Sequence, residues 1–360
     1  MQVLENIITK LERQKSLQRD LVVPSKKIFM DKGIINVESE GHMELFRPNE
    51  LFATQIAGKL GIPVQYYRKM QELTPDLLDE NVNGWLDHHA GKSYLMRGYE
   101  SEEGNIGTGR AFLSDRYHII DNYEVLFAGL EAIKATGVDV VITKAEVTDR
   151  RLYLHVVCPE IEYQAEAFLK EYLKENNAAG NGIVSGFVMS NSEVGEGTFE
   201  IRPRAVICKC NNGLVIKDDS YKRIHLGQRM DAGEVVWSER TRQKNHELIM
   251  SQTEDAIKTF LSKDYVGRMV ERIAEQSQID LKHPIDTVQN VTRQLGITEQ
   301  HKQSILNYFL RDGKVNAGGV MHAVTREAQN MHPDLQHDVE QQILEILPRI
   351  AKFDKPFSKN

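Results

Sequence analysis

The stretch "VMSNSEVGEGTFEIRPRAVICKCNNGLVI", Val188 to Ile216, constrains the fold of this chain more than any other. Two apolar runs of strand length flank a turn of glycine and acid, and glycine supplies the positive φ that tight turns require. The pattern predicts a β-hairpin with its tip at Glu193–Gly197. Side chains alternate across a strand, so Phe199, Ile201, Pro203 and Ala205 share one face, and Glu200, Arg202 and Arg204 share the other. Past Ala205 the run "AVIC" is continuously apolar. The strand is expected to pass from a half-exposed end into a covered centre, with Arg202 and Arg204 projecting together near the mouth of the sheet.

The same period-2 signal extends over residues 91–236. "KSYLMRGYE" and "GRAFLSDRYHII" flank a Gly-rich turn, and "VDVVITKAEVTDRRLYLHVVCPE" reads as a hairpin turning near Asp149-Arg150. One helix interrupts the strands, "DNYEVLFAGLEAIKATG", with Asp121 and Glu124 resembling a capping box and Gly137 at its end. Residues 1–90 read as helical, with Gly61 and Pro63 stopping one helix and Thr74-Pro75 opening the next. Residues 237–350 return to helical periodicity, and 351–360 read as a tail. The expected fold class is α+β. A mostly antiparallel sheet in the middle of the chain is flanked by an N-terminal helical segment and a C-terminal helical region. The expected division is a core domain over 1–236 (helical 1–90, sheet-rich 91–236) and a helical region over 237–350.

The 360 residues are enough to bury a core without staples, and 41% hydrophobic with 27% charged residues is the balance of a soluble globular chain. No apolar run reaches membrane-spanning length, and the charged first segment lacks a signal-peptide core, so a cytoplasmic location is expected. Three cysteines cannot build a disulfide framework, in keeping with a reducing compartment. The net charge of −7 excludes bulk attraction to nucleic acid and leaves only a local patch as a means of binding it.

Metal, nucleotide and nucleophile chemistries each lack a part of their motif. Cys208 and Cys210, with Cys158 or His225, lack the second closely spaced pair of a structural zinc site, and two small side chains on a covered face explain them. No metal and no cofactor is expected. "GNIGTGR", Gly104 to Arg110, lacks the Gly-Lys-Ser/Thr of a P-loop and is followed by strand rather than helix, so it reads as a hairpin turn. Ser190 and Ser192 stand outside any nucleophile elbow, and His88-His89 sits at a helix end, where a cation meets the dipole favourably. No catalytic residue is assigned, and the chain is read as a non-enzyme.

A phosphate grip fits the residues better. Ile201 to Met230 holds seven basic residues (Arg202, Arg204, Lys209, Lys217, Lys222, Arg223 and Arg229) against Asp218 and Asp219. Arg97, Arg110, Arg116, Arg150 and Arg151 lie in the same zone of strands, with Tyr99, Tyr117, Phe199 and Tyr221 nearby. A basic sheet face with aromatic side chains suits a phosphate backbone and stacked bases. A solvated face whose arginines counter the acids of the chain is the plainer alternative. The candidate binding residues are Arg116, Arg202, Arg204, Lys209, Lys217, Lys222 and Arg223.

"RAFLSDRYHIIDN", "MSNSEVGEGTFEIRPRAVICKCNNGLVI", "HAVTREAQN", "ATQIAGKLGIPVQYYRKM" and "LLDENVNGWL" resemble the phage- and plasmid-like proteins of domain of unknown function family 932. The likeness covers roughly residues 45 to 330. A Ser-Asp-Arg-Tyr turn is matched by Ser114, Asp115, Arg116 and Tyr117. An Asn-Ser-Glu-x-Gly turn is matched by Asn191, Ser192, Glu193 and Gly195. Cys-x-Asn-Gly is matched by Cys210, Asn212 and Gly213, and a fourth stretch by His322, Ala323 and Thr325. Cys208 is additional to that pattern. The resemblance implies carriage by phages, plasmids or integrated elements and supplies no activity. The resulting expectation is a non-enzymatic protein of a mobile element that binds single-stranded nucleic acid, in recombination or replication, and that self-associates. The alternative is a protein–protein module that acts on host machinery through its C-terminal helices.

Overall fold

Strand structure begins at Gln18, inside the segment expected to be helical. The computed structural model describes residues 2–39, 41–164, 182–207, 212–215, 221–223, 233–234, 238–312 and 314–357. Helix α1 (Gln2–Ser16) leads into β1 (Gln18–Pro24), β2 (Ile28–Asp31), β3 (Ile34–Ser39) and β4 (His42–Pro48). Lys32 and Gly33 both take positive φ between β2 and β3, the two-residue hairpin geometry whose twist matches its flanking strands. Ile28, Met30, Ile35 and Val37 alternate inward around that turn and are buried. The helical reading fails here because these period-2 runs are shorter than the helical periods after them.

Three helices then cover one face of the first sheet: α2 (Glu50–Leu60), α3 (Val64–Leu73) and α4 (Pro75–His88). The Asn49 side chain caps α2 by accepting from the Phe52 N–H at 2.8 Å, Gly61 closes it in the left-handed region, and Pro75 opens α4. Asp79 of α4 accepts from the backbone N–H groups of Lys32 and Gly33, which fixes the helix against the hairpin. Phe52, Tyr67, Val82 and Leu86 from the helices meet Leu21, Met30, Phe46 and Phe112 from the strands in one apolar core.

The next elements are β5 (Ser93–Tyr99), β6 (Ile106–Ser114), α5 (Asn122–Thr136), β7 (Val141–Val147), β8 (Leu152–Gln164), β9 (Gly182–Asn191) and β10 (Phe199–Ile207). Short strands β11 (Asn212–Val215), β12 (Tyr221–Arg223) and β13 (Gly233–Glu234) follow. They form two sheets rather than one. The first runs β13-β1-β5-β6-β4-β3-β2, antiparallel except where β4 and β6 pair in parallel. The second runs β11-β10-β9-β8-β7, antiparallel, with β12 also on β10. The fold class is α+β, as the sequence indicates.

Helices α6 (Glu239–Phe260), α7 (Lys263–Ser277), α8 (Pro284–Gln294), α9 (Glu299–Asp312), α10 (Ala317–Ala328) and α11 (Pro333–Ile346) complete the chain, with a 3-10 turn over Leu347–Lys352. They do not build a core of their own. Ile249, Ala256, Ile257 and Phe260 of α6 join Phe187, Met189, Phe199 and Ile201 of the second sheet and Val125 and Leu126 of α5 in one cluster. Among the described residues, no helix is long and apolar enough to cross a membrane.

Candidate nucleic-acid interface

The β9–β10 hairpin exists as the sequence predicts, but its tip is a plug and not a free loop. Ser192, Glu193 and Val194 are buried, and the Val194 carbonyl accepts from Gln55 of α2 at 2.7 Å. Gly195 takes positive φ, which favours glycine, and a Cβ there would meet Leu113 Cδ2 at 2.6 Å and push the end of that side chain aside. The plug brings two of the sequence motifs together. Tyr117 Oη donates to the Ser192 carbonyl at 2.8 Å, and Asn191 Nδ2 donates to the Ile120 carbonyl and to Asn122 Oδ1, each at 2.9 Å. The Asn122 N–H donates to Glu193 Oε2 at 2.9 Å.

A buried charge cluster lies beneath this plug. Arg97, on the interior strand β5, has no exposed surface. It donates through Nε and Nη2 to Asp20, through Nη2 to Asp121 and through Nη1 to the Glu193 carbonyl. Arg110 pairs with the Glu193 carboxylate and lies over the Tyr99 ring, 4.2 Å from its centroid. Burial pulls the Arg97 pKa down, but Asp20, Asp121 and Glu193 outweigh it and hold the guanidinium above its ordinary value. Burial pushes Asp121 up, whereas Arg110 and Arg97 overcome burial at Glu193 and leave it below its ordinary value. Asp121 precedes α5 as expected but does not cap it with its side chain, because that carboxylate is committed to Arg97. Two guanidiniums here face three carboxylates, so neither cation is left for a phosphate.

Arg202 and Arg204 are buried, contrary to the expectation from the sequence. They do share a strand face, but they are 5% and 4% exposed rather than free at the mouth of the sheet. Arg202 is bonded to Glu200 and Gln341, and Arg204 faces Glu340 at 3.5 Å. Parity correctly assigns the side of the strand, but helix α11 covers that side. Neither guanidinium is available to a phosphate in this arrangement. Lys222 and Arg223 lie in β12, opposite Glu200 and Phe199 in backbone register. Lys209 and Lys217 lie outside the described residues, as do Cys208 and Cys210. Cys158 is buried in the core, and among the described residues no three metal-ligating side chains gather.

Of the three candidate residues whose side chains are described, Arg116 reaches solvent and Arg202 and Arg204 do not. Arg116 lies within the Ser114–Tyr117 turn, which the Tyr117 N–H closes on the Ser114 carbonyl at 2.9 Å. Beside it opens a cleft of about 390 Å³, lined by Lys59, Lys92, Ser93, Tyr94, Ser114, Asp115 and Arg116. Lys59 comes from the last turn of α2, and Lys92 from the link between α4 and β5. The side chains of Lys59, Lys92 and Arg116 have no ion-pair partner among the described residues, a contrast with the paired arginines of both sheets.

An aromatic row leads out of this cleft. Tyr94 Oη bonds His89 Nδ1 at 2.8 Å, the His89 and His88 rings are 6.0 Å apart, and His88 meets Trp85 edge-on at 5.6 Å. Trp85 is 43% exposed on the outer face of α4. Partial burial, then the charges of Lys92 and His88, push the His89 pKa below its ordinary value, a sign of positive potential at this corner. The sequence placed His88-His89 at a helix end, where α4 does finish, but missed Lys59, Lys92 and Trp85. No short motif links those three, and only the packing of α2 and α4 on the first sheet brings them together.

No family model, curated protein or solved structure matches the chain. The likeness to family 932 therefore rests on the motifs alone.

Proposed function

We propose that the protein binds single-stranded nucleic acid, as a non-enzymatic protein of a phage or other mobile element, along the rim formed by α2, α4 and the Ser114–Tyr117 turn. The observation that carries this reading is the cleft itself: three cations without carboxylate partners among the described residues, beside a row of rings ending in an exposed tryptophan. Cations that track a backbone, together with aromatic faces for bases, are the minimal apparatus for sequence-tolerant binding of a single strand. Asp115 is the one acid of the cleft, and it is buried, so the rim presents mainly positive charge.

The test uses the small number of tryptophans. The chain has two, Trp85 and Trp237. With Trp237→Phe as background, oligothymidylate should quench the Trp85 emission, and affinity should fall with salt at a log–log slope of about −2 for three phosphates on a single strand. Lys59→Ala, Lys92→Ala and Arg116→Ala should each reduce that slope by about one phosphate contact. An unquenched Trp85, or binding that the three substitutions leave intact, would overturn the reading.

A second reading is favoured by one observation. Tyr66, Leu73 and Leu77 expose apolar surface along α3 and the start of α4, which suits a protein partner rather than a nucleic acid. Leu248, Ile285 and Leu310 of the C-terminal helices are exposed as well and offer a second apolar surface for such a partner. Nuclease-resistant capture of a host protein, lost with Leu73→Glu, would support it.

A further inference from the structure

Helix α11 meets the second sheet through polar atoms, and it meets its helical neighbour α10 through apolar side chains and through bonds of Gln336 and Glu340 to Gln329 at the end of that helix. Toward the sheet it presents Asp334, Gln336, His337, Asp338, Glu340 and Gln341. Tyr153 Oη donates to Asp334 at 2.8 Å, Lys144 Nζ to Gln336 at 2.7 Å, and Arg151 Nη1 to Asp338 at 3.0 Å. Val339, Ile343 and Ile346 on its other side join α10 in the apolar core. The sheet face beneath carries Lys144, Arg151, Arg202 and Arg204. Two of these have a carboxylate on the sheet itself, Lys144 with Glu146 and Arg202 with Glu200. The other two, Arg151 and Arg204, take theirs from α11, Asp338 and Glu340.

The fit along this seam is incomplete. Arg204 Nε, His337 Nδ1 and Glu340 Oε2 are buried without a hydrogen-bond partner among the described residues. Gln341 Nε2 donates to His337 Nε2, so the neutral ring carries its proton on Nδ1, and that proton is unused. Arg204 engages Glu340 with one arm at 3.5 Å, when its planar fork could hold a carboxylate or phosphate with two. A permanently closed core gains little from such a seam, because well-packed apolar residues of similar volume would serve at least as well. What a polar seam permits is separation in water without exposing the apolar stripe of the helix.

We infer that α11 occupies a second, latent phosphate-binding face, its Asp338 and Glu340 standing where the phosphates of a single strand bind when the helix is displaced. The strand gains Arg151 and Arg204, and Tyr153, now packed 4.9 Å from the His337 ring, becomes a stacking surface beside them. No covalent step is involved. The exchange is one set of anions for another. This inference rests on the nucleic-acid reading above, but it concerns a different face of the molecule.

Hydrogen exchange on the full chain tests it. Oligothymidylate added to the wild-type protein should accelerate amide exchange across 333–346 and leave α10 protected. The effect should persist in the Lys59→Ala, Lys92→Ala, Arg116→Ala variant, which isolates this face from the cleft. In that background, Asp334→Asn, Asp338→Asn and Glu340→Gln together should raise single-strand affinity by roughly tenfold in low salt. Quenching of Trp85 with unchanged exchange in 333–346 would overturn this inference and leave the cleft reading intact. Lack of quenching, with accelerated exchange in 333–346, would do the reverse. Acceleration by polyglutamate equal to that by oligothymidylate would also overturn it, since the face would then take acidic protein segments. If the charge-neutralised variant fails to fold, the wild-type exchange experiment decides alone.

Discussion

The Arg97 guanidinium donates to the backbone carbonyl of Glu193 at 2.7 Å, and this bond ties an interior strand of the first sheet to the hairpin of the second. The same side chain neutralises Asp20 and Asp121. Replacing it with Met leaves the buried Asp20 and the half-buried Asp121 without their cation and frees the plug. Loss of one partner of a buried ion pair costs about 3–5 kcal/mol. Arg97→Met should therefore show a urea midpoint lowered by an amount of that order. Arg97→Lys should rescue little of it, because an ammonium cannot serve Asp20, Asp121 and a carbonyl from one planar fork.

Burial of Arg204 reverses what exposed arginines would imply for stability. Arg204→Ala leaves Glu340, which has no exposed surface, without its cation, and should cost about 3 kcal/mol or more. Arg116→Ala, at an exposed position, should change stability by no more than about 0.5 kcal/mol. Parallel thermal melts of the two variants check this. Equal melting temperatures would mean that α11 does not cover the sheet in solution.

How much of this was legible in the sequence follows from the range of each signal. The hairpins β5–β6, β7–β8 and β9–β10 are local, and alternation around Gly- or Asp-containing turns reveals them. The β2–β3 hairpin left a fainter mark, since Lys32 rather than Asn or Asp precedes its glycine. Strand parity assigned Arg202 and Arg204 to one face, but parity does not say what packs on that face. The covering residues Gln336, His337, Glu340 and Gln341 lie far along the chain and form a polar stripe that resembles a solvated helix surface. The cleft was invisible for the same reason, because Lys59, Lys92 and Arg116 sit at the ends of three separate elements.

Buried histidines make the protein sensitive to mild acid. Burial first, then Arg202, Arg151 and Arg204, depress the His337 pKa from 6.5 to about 3. His155 is shifted in the same direction by burial, Arg204, His337 and Lys144. The folded state keeps these rings neutral, whereas the unfolded chain takes up protons below about 6.5. The stability they contribute is fully present above that pH and is lost progressively as pH falls toward 3. Urea midpoints should therefore decline between pH 6.5 and 4.5, before carboxylates such as Glu193 begin to protonate in the unfolded chain. His337→Gln should flatten part of that decline, and His155→Gln with His337→Gln more of it. A profile as steep in the double variant as in the wild type would assign the acid loss to other groups.

The C-terminal helices carry helical periodicity throughout, and on sequence alone a fragment starting near Ser238 should fold in part on its own. The packing predicts otherwise. The inner stripe of α6, Ile249, Ala256, Ile257 and Phe260, lies against strands of the second sheet and α5, and the Phe260 carbonyl accepts from Ser185 of β9 at 2.8 Å. The polar stripe of α11 has its partners on β7, β8 and β10. A fragment of residues 238–360 exposes both stripes at once. Isolated helices draw most of their stability from tertiary packing, so this fragment should keep some helical circular dichroism but unfold without a cooperative transition. Mixed with a fragment of residues 1–237, it should regain a cooperative melt. A sharp transition in 238–360 alone would show that α7 to α10 suffice as a core, and that the sheet is a docking surface rather than half of one folding unit.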